Sequence, residues 1–270
     1  MLNSALSRCG VMRGMAMPIV LSIAGYDPSS GAGITADVKT AAAHECYAIT
    51  CITAVTVQTT EKVFAVEPLR AEIVRDTLYE LVRDMPPAAV RIGMLGSGEV
   101  AEVVADFLET TRLRNVVLDP VLRSTSGAAL IDERGEQVIR ARLLKAVDVC
   151  TPNEAEARVL AECEASPEGL ARELHRKGCP AVVITGGERE DSGDLLSFGD
   201  QQEWLRAEKI RSRATHGTGC AFATAIACNL ALGRQLREAV VEAKFYVRRA
   251  ITLGSDEPLG HGRGPMNHFV

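Results

Sequence analysis

The sequence predicts an α/β fold, a central and mostly parallel sheet with helices on both faces in three α/β/α layers. Two observations carry that expectation. Short apolar, β-rich runs alternate with segments of helical periodicity from Ile19 to Thr185, as in successive βαβ units whose strands are buried on both sides. Glycine-rich and polar clusters, out of keeping with a core, fall directly after those runs. In open α/β sheets that is the ligand-binding edge, at the C-terminal ends of the strands.

Taken in order, Ile19–Ala24 reads as the first strand and runs into Gly25-Tyr26-Asp27-Pro28-Ser29-Ser30-Gly31-Ala32-Gly33. A helix follows over Thr35–Glu45, then a strand over Ala48–Val57 that ends in Gln58-Thr59-Thr60. Helix Ala71–Asp84 leads to strand Ala89–Met94, and helix Glu99–Thr111 to strand Val116–Leu118 with Asp119-Pro120-Val121 behind it. Helix Glu133–Leu144 precedes strand Val147–Cys150 and the turn Thr151-Pro152-Asn153. Helices Glu154–Glu162 and Pro167–Lys177 lead to the last parallel strand, Ala181–Thr185, with Gly186-Gly187 after it. Leu195–Phe198 and Glu203–Ile210 read as a hairpin around Gly199-Asp200, and helices Gly219–Leu232 and Leu236–Leu253 close the pattern. Residues 18–270 are expected to form one domain. Residues 1–17 stand outside it as a frayed tail or an over-called start, since Arg8 and Arg13 interrupt any secretory apolar run.

Composition narrows the function classes. The 270 residues are 47% hydrophobic and 24% charged, with a formal net charge of −5, which is ordinary for a globular chain. No basic block supports nucleic-acid binding, and no stretch approaches the ~20 apolar residues of a membrane span. The eight cysteines contain no C-x-x-C pair, so neither a zinc site nor a disulfide framework is indicated and a reducing, cytoplasmic setting is expected.

The most pointed local signal is His216-Gly217-Thr218-Gly219-Cys220, which runs into the small-residue stretch Ala221-Phe222-Ala223-Thr224-Ala225-Ile226-Ala227. Glycines where a loop becomes a helix let consecutive N–H groups converge on one point, and the helix dipole adds positive character. Cys220 in that first turn is expected to have a lowered thiol pKa. His216 reads as a loop residue that shapes the anion hole. Gly31-Ala32-Gly33 lacks the third glycine of a dinucleotide fingerprint, and no P-loop is present. Asn153-x-x-Glu156 at a helix start has the form of an N-cap with a first-turn acid.

In this order and spacing the chain resembles the hydroxymethylpyrimidine and phosphomethylpyrimidine kinases of thiamin biosynthesis, within the ribokinase superfamily. The motifs are Ile23-Ala24-Gly25-Tyr26-Asp27-Pro28-Ser29-Ser30-Gly31-Ala32-Gly33, Val57-Gln58-Thr59-Thr60, Ile92-Gly93-Met94, Leu118-Asp119-Pro120-Val121, Thr151-Pro152-Asn153-x-x-Glu156-Ala157, the Cys220 loop, and the tail Gly260-His261-Gly262-x-Gly264-Pro265-x-x-His268-Phe269. The resemblance implies a ribokinase-like fold, a homodimer, and two successive phosphorylations of one small pyrimidine at the expense of ATP with Mg. It implies that Gly217, Thr218, Gly219 and Cys220 carry the chemistry. Asn153, Glu156, Thr185 and Gly187 would serve ATP, with magnesium near Glu156 and Asn153 and support from Asp119. Gln58, Met94, Gly25, Asp37 and Val121 would line the pyrimidine pocket. The Gln58 carboxamide offers an acceptor and a donor to an amino group beside a ring nitrogen.

Two departures qualify the resemblance. Cys220 stands where sugar kinases of the superfamily place an aspartate base, as it does in the thiamin kinases and some pyridoxal kinases. Thr185 stands where the family usually has lysine, and Arg123, Lys39 and Arg189 are the candidates to replace that cation. The rival readings are a pyridoxal kinase and a catalytically idle paralogue that binds the pyrimidine.

Overall fold

The computed structural model describes residues 17–187, 193–254 and 259–270. Most of the expected N-terminal extension, residues 1–16, and Arg189 lie outside the described residues. Strands β1 (Ile19–Tyr26), β2 (Tyr47–Gln58), β3 (Val63–Pro68), β4 (Ala89–Ile92), β5 (Val116–Leu118), β6 (Val149–Cys150), β7 (Ala181–Ile184), β8 (Asp194–Phe198) and β9 (Gln201–Leu205) form one sheet in the order β3-β2-β1-β4-β5-β6-β7-β8-β9. The six central strands from β2 to β7 are parallel, while β3, β8 and β9 pair antiparallel at the two ends.

Alternation along the strands divides the core in two. Leu21, Ile23, Val90, Ile92, Val116 and Leu118 face one layer, built from α2 (Ala71–Asp84), α3 (Gly98–Thr111), α4 (Glu133–Val138), α6 (Glu154–Ala161) and α7 (Pro167–Arg176). Val20, Ala89 and Val117 face the other, built from α1 (Gly33–Ala43), α8 (Thr218–Ala231) and α9 (Leu236–Gly254). Side-chain caps set where several helices begin. Ser97 accepts from Val100 N–H at 3.3 Å, Asp132 from Gly135 N–H at 2.7 Å, and Ser166, with Pro167 behind it, from Gly169 N–H at 3.4 Å. In α8 every residue from Ala221 to Asn229 is buried, and its alanines let it lie close over the middle of the sheet.

Three elements differ from expectation. The edge strand β3 has no counterpart in the sequence reading, because it is half exposed, only six residues long, and reached by a tight turn with no helix between. The second arm of the hairpin is Gln201–Leu205, not Glu203–Ile210, since the turn at Gly199 (φ +53°) is short. The expected helix over Glu133–Leu144 is α4 followed by a π-helical turn, Ile139–Leu143, and a last turn α5 (Leu144–Ala146).

Candidate active site

The loop before α8 is built on two glycines. Gly217 is left-handed (φ +78°), and a Cβ there would fall 1.9 Å from Gly31 O, so only glycine permits this approach of the α8 loop to the β1–α1 loop. Gly31 in turn packs under the His216 ring, where a Cβ would lie 2.2 Å from Cδ2. In the first turn of α8, Thr218, Gly219 and Cys220 present N–H groups that have no helical acceptor. No acidic residue shares that turn, and a Cβ on Gly219 would meet nothing among the described residues within 4 Å. This is an anion-binding geometry open to the C-terminal edge of the sheet.

Beneath it lies a buried charge cluster. Arg91, in the otherwise apolar β4, is 0% exposed and donates to Asp37 Oδ2 at 2.9 Å and to Asp119 Oδ2 at 2.6 Å. Asp37 also accepts from Ser22 Oγ at 2.5 Å and from Thr224 Oγ1 at 2.7 Å. Asp37 was expected on the pyrimidine wall. The structure instead seals it among β1, α1, β4 and α8, with its carboxylate spent and no surface toward a ligand. Burial pushes both carboxyls up, with Arg91 opposing. Burial works against the Arg91 charge too, but Asp37, Cys220 and Asp119 outweigh it and hold the guanidinium above its usual value.

The Cys220 thiol feels the charges of both Arg91 and Asp119. Burial pushes the thiol up to about 12; Arg91 and the Gly33 N–H oppose the shift, while Asp119 and Asp37 add to it. The expected lowering at a helix N-terminus is therefore corrected. A dipole effect of about 1 kcal/mol loses to desolvation beside two carboxylates.

A third group gathers at the ends of β1 and β2. Asp27 accepts from Ser29 N–H at 2.8 Å, Ala32 N–H at 2.9 Å and His216 Nε2 at 2.7 Å. Burial raises its pKa, but the hydrogen bond to His216 and those from Ser29 prevail, and the carboxyl sits below its usual value. Gln58 Nε2 lies 3.1 Å from His216 Nε2, so Gln58 does reach the anion loop. Met94 packs with Ala54, Leu130 and Val121, and its Cε would touch a Cβ on Gly25 at 2.3 Å. Gly25, Met94 and Val121 thus form an apolar floor. An open cleft of about 360 Å³ extends outward from Gln58 and His216, past Ser124, to the cations Lys62, Arg213 and Arg263.

Asn153 and Glu156 form a reciprocal cap on α6. Asn153 Oδ1 accepts from Glu156 N–H and Glu156 Oε2 from Asn153 N–H, both at 2.9 Å. Thr185 N–H donates to Pro152 O at 2.9 Å, so Thr185 and Asn153 sit side by side at the ends of β6 and β7, and Gly187 lies just beyond, with nothing among the described residues within 4 Å of a Cβ there. Of the candidates to replace the missing lysine, Lys39 is held within the β1–α1 loop by Ser30 O at 2.7 Å. Arg123 is exposed, in a short bridge with Ala129.

With this geometry in place, the comparisons with known proteins decide the family. The model of phosphomethylpyrimidine kinase matches residues 27–267. The chain belongs to the phosphomethylpyrimidine kinase family. It is 42% identical over 258 residues to the hydroxymethylpyrimidine/phosphomethylpyrimidine kinase of Rhizobium meliloti, covering 93% of this chain and 97% of that relative. It is 40% identical over 257 residues to the thiamine biosynthesis bifunctional protein ThiED of Geobacter sulfurreducens, covering 93% of this chain but 52% of that protein. The chain thus spans about half the length of the bifunctional relatives it matches. Among solved structures, an ADP complex of Bacillus subtilis pyridoxal kinase superimposes with a TM-score of 0.84 at 31% identity, covering 94% of this chain and 98% of that one. The fold is ribokinase-like, as expected.

Within this family member, two site residues escaped the sequence reading. Arg91 carried a signal, since a lone arginine in the apolar run Ala89-Val90-Arg91-Ile92 must find a charge partner. Asp27 stood in a quoted motif without a role, because its partner His216 is 189 positions away. The grouping of Lys62, Arg213 and Arg263 left no mark in the sequence at all.

Proposed function

We propose that this chain transfers phosphate from ATP to the hydroxymethyl group of 4-amino-5-hydroxymethyl-2-methylpyrimidine, and then phosphorylates the monophosphate to the diphosphate, in thiamin diphosphate biosynthesis. The observation that carries this reading is the meeting of Gln58 with His216 at 3.1 Å, directly before the Gly217–Gly219 loop. An amide suited to an aminopyrimidine edge stands beside a hole suited to a transferring phosphoryl group.

The chemistry follows from positioning. Gly25, Met94 and Val121 hold the ring face, and Gln58 orients its polar edge. The substrate oxygen forms a bond to the γ-phosphorus while the bond from that phosphorus to the β-γ bridging oxygen breaks, leaving ADP. The N–H groups of Thr218, Gly219 and Cys220 hold the charge on the equatorial oxygens. The hydroxyl proton passes to Cys220 as its thiol proton passes to Asp119, so the acceptor is the pair rather than a free thiolate. Glu156, with Asn153, is the donor set for magnesium: Mg²⁺ asks for one or two carboxylates and takes its other ligands from phosphates and water, and when bound it supplies charge neutralisation. Asp119 is tied to Arg91 and supports from behind. Thr185 and Gly187 line the ATP side.

The same reading places the active unit in residues 18–270 as a homodimer in the cytoplasm. Val57 and Phe64, 62% and 58% exposed on the β2–β3 ribbon, support a covered face, which light scattering tests. The seven described cysteines are free thiols, which suits a reducing compartment, and no helix among the described residues is long and apolar enough to cross a membrane.

Offering the pyrimidine alcohol and its monophosphate separately, with ATP and product analysis, tests the function. Both are expected to gain one phosphate, and failure of both overturns the reading. The likeness to a pyridoxal kinase structure favours pyridoxal as the second substrate to test. A kcat/KM for pyridoxal above that for the pyrimidine would exchange the two readings.

A further inference from the structure

The hydrogen count around His216 assigns an orientation to Gln58. Asp27 Oδ2 lies 2.7 Å from His216 Nε2, and a carboxylate only accepts, so Nε2 carries a hydrogen. Gln58 Nε2 faces that same nitrogen at 3.1 Å, which would set donor against donor. At the other end of the amide, Gln58 Oε1 lies 3.2 Å from Thr56 Oγ1, which also lies 3.1 Å from Tyr26 O and has a single hydrogen for the two acceptors. The two ends of a carboxamide have the same shape. Exchanging them resolves both conflicts together. His216 Nε2–H then serves Asp27 and the amide oxygen, the amide nitrogen donates to Thr56 Oγ1, and Thr56 donates to Tyr26 O. Each of these three hydrogens then has an acceptor.

The His216 ring is itself fixed, wedged against Gly31 where a Cβ would lie 2.2 Å from Cδ2, with 15% of its side chain exposed. We propose that His216 is a positioning residue that sets which way the Gln58 carboxamide faces, and so selects a ligand edge with an amino group beside a ring nitrogen. A carboxamide has two N–H groups and two lone pairs. One N–H goes to Thr56 and one lone pair to His216. One of each remains, which complements that edge. Without His216 the amide turns, and donor and acceptor exchange places. The inference rests on Gln58 reading the pyrimidine.

The test measures kcat, KM and calorimetric Kd for the pyrimidine alcohol and for pyridoxal in wild type, His216→Ala, His216→Gln, Gln58→Leu and the His216→Ala/Gln58→Leu double variant. His216→Ala is expected to raise Kd and KM for the pyrimidine about 10-fold, the scale of one misdirected hydrogen bond, with kcat within about 3-fold and pyridoxal little affected. The double variant should bind no worse than Gln58→Leu alone, because the two residues act through one amide. His216→Gln carries an N–H for Asp27 and should keep the preference for the pyrimidine, which leaves the test decisive if His216→Ala does not fold. Equal losses for both substrates, a penalty undiminished in the Gln58→Leu background, or loss of preference in His216→Gln overturns the proposal and leaves His216 as loop packing. If Gln58→Leu alone leaves pyrimidine binding unchanged, the underlying reading of Gln58 fails first, and no His216 variant is needed to see it.

Discussion

Arg91 Nη2 lies 2.6 Å from Asp119 Oδ2, with the guanidinium fully buried and its charge acting on the Cys220 thiol. The same arginine holds Asp37 at 2.9 Å. One cation therefore balances two carboxylates, and the loop that faces the phosphates rests on that balance. Removing the cation leaves two buried carboxyls without a charge partner. Arg91→Met is expected to lose about 3–5 kcal/mol of unfolding free energy, the usual result of stripping one member from a buried ion pair. Urea unfolding at neutral pH measures it, and a loss under about 1 kcal/mol would show that the carboxyls are already neutral and need no partner.

The Cys220 thiol, pushed up to about 12 by burial, should behave as a thiol and not a thiolate near neutrality. The exposed Cys163 is then expected to alkylate faster than Cys220 at pH 7–8, since the thiolate is the reactive form. Peptide mass spectrometry after brief iodoacetamide treatment ranks the two, and faster labelling of Cys220 would contradict the burial argument. Cys220→Ala should still lower kcat for the alcohol by about 10²–10⁴-fold, the range for a positioned acid–base group. The monophosphate, already ionised, should lose less.

The parallel core of this fold was legible because buried strands and their crossover helices impose strong periodicities, and the glycine loop at Gly217 because a left-handed residue leaves few alternatives. Edge strand β3 was not, since its half-exposed residues obey neither period. The placement of Asp37 was missed for a different reason. A polar residue in a motif reads equally as a pocket wall or as the buried partner of an arginine on a strand far along the chain. Only the register that brings Ser22 of β1 beside Arg91 of β4 separates these, and Asp37 follows it under the loop. The Cys220 pKa went the wrong way because the helix dipole is visible in a sequence while Asp119 and Asp37 at its back are not.

Glu156→Gln separates the metal role from the cap. Glutamine fills the same place in a capping box, so the two 2.9 Å bonds between residues 153 and 156 should persist and the melting temperature should hold. The lost charge should raise the magnesium concentration for half-maximal rate by about 10-fold, on the scale of about 1.4 kcal/mol, with pyrimidine affinity unchanged. A shifted melting curve with unaltered magnesium dependence would make Glu156 a cap and nothing more.

Asp27 should contribute to acid sensitivity with a definite sign. Its folded pKa is held below the ordinary 3.8 because hydrogen bonds from His216 and Ser29 outweigh the opposing effect of burial. Below that value the unfolded chain binds a proton before the folded one does. The contribution is therefore complete above pH 3.8 and is lost as pH falls through the lower folded value. Asp37 and Asp119, pushed up by burial, act with the opposite sign, so a whole-protein acid titration mixes the two. The difference between wild type and Asp27→Asn isolates the first. It should be roughly constant from pH 5 to 7 and shrink below about 4; a difference that grows on acidification would reverse the assignment.

Gln58→Glu probes the substrate edge by changing one atom. The carboxylate keeps an acceptor for the pyrimidine amino group but has no hydrogen for the ring nitrogen, and it adds a second negative charge near His216, which already serves Asp27 at 2.7 Å. Opposing a ring nitrogen with a carboxylate oxygen sets two acceptors against each other, a mismatch that polar recognition sites reject strongly. The expected loss is about 10–100-fold in kcat/KM for the pyrimidine at neutral pH. It should narrow as pH falls toward the carboxyl pKa, because the protonated acid regains a donor. Pyridoxal, which presents no amino group beside its ring nitrogen, should lose less and show no such recovery. Parallel pH–rate curves for both substrates provide the check. Equal losses at every pH would mean that the added charge, and not the mismatched edge, is what the site feels.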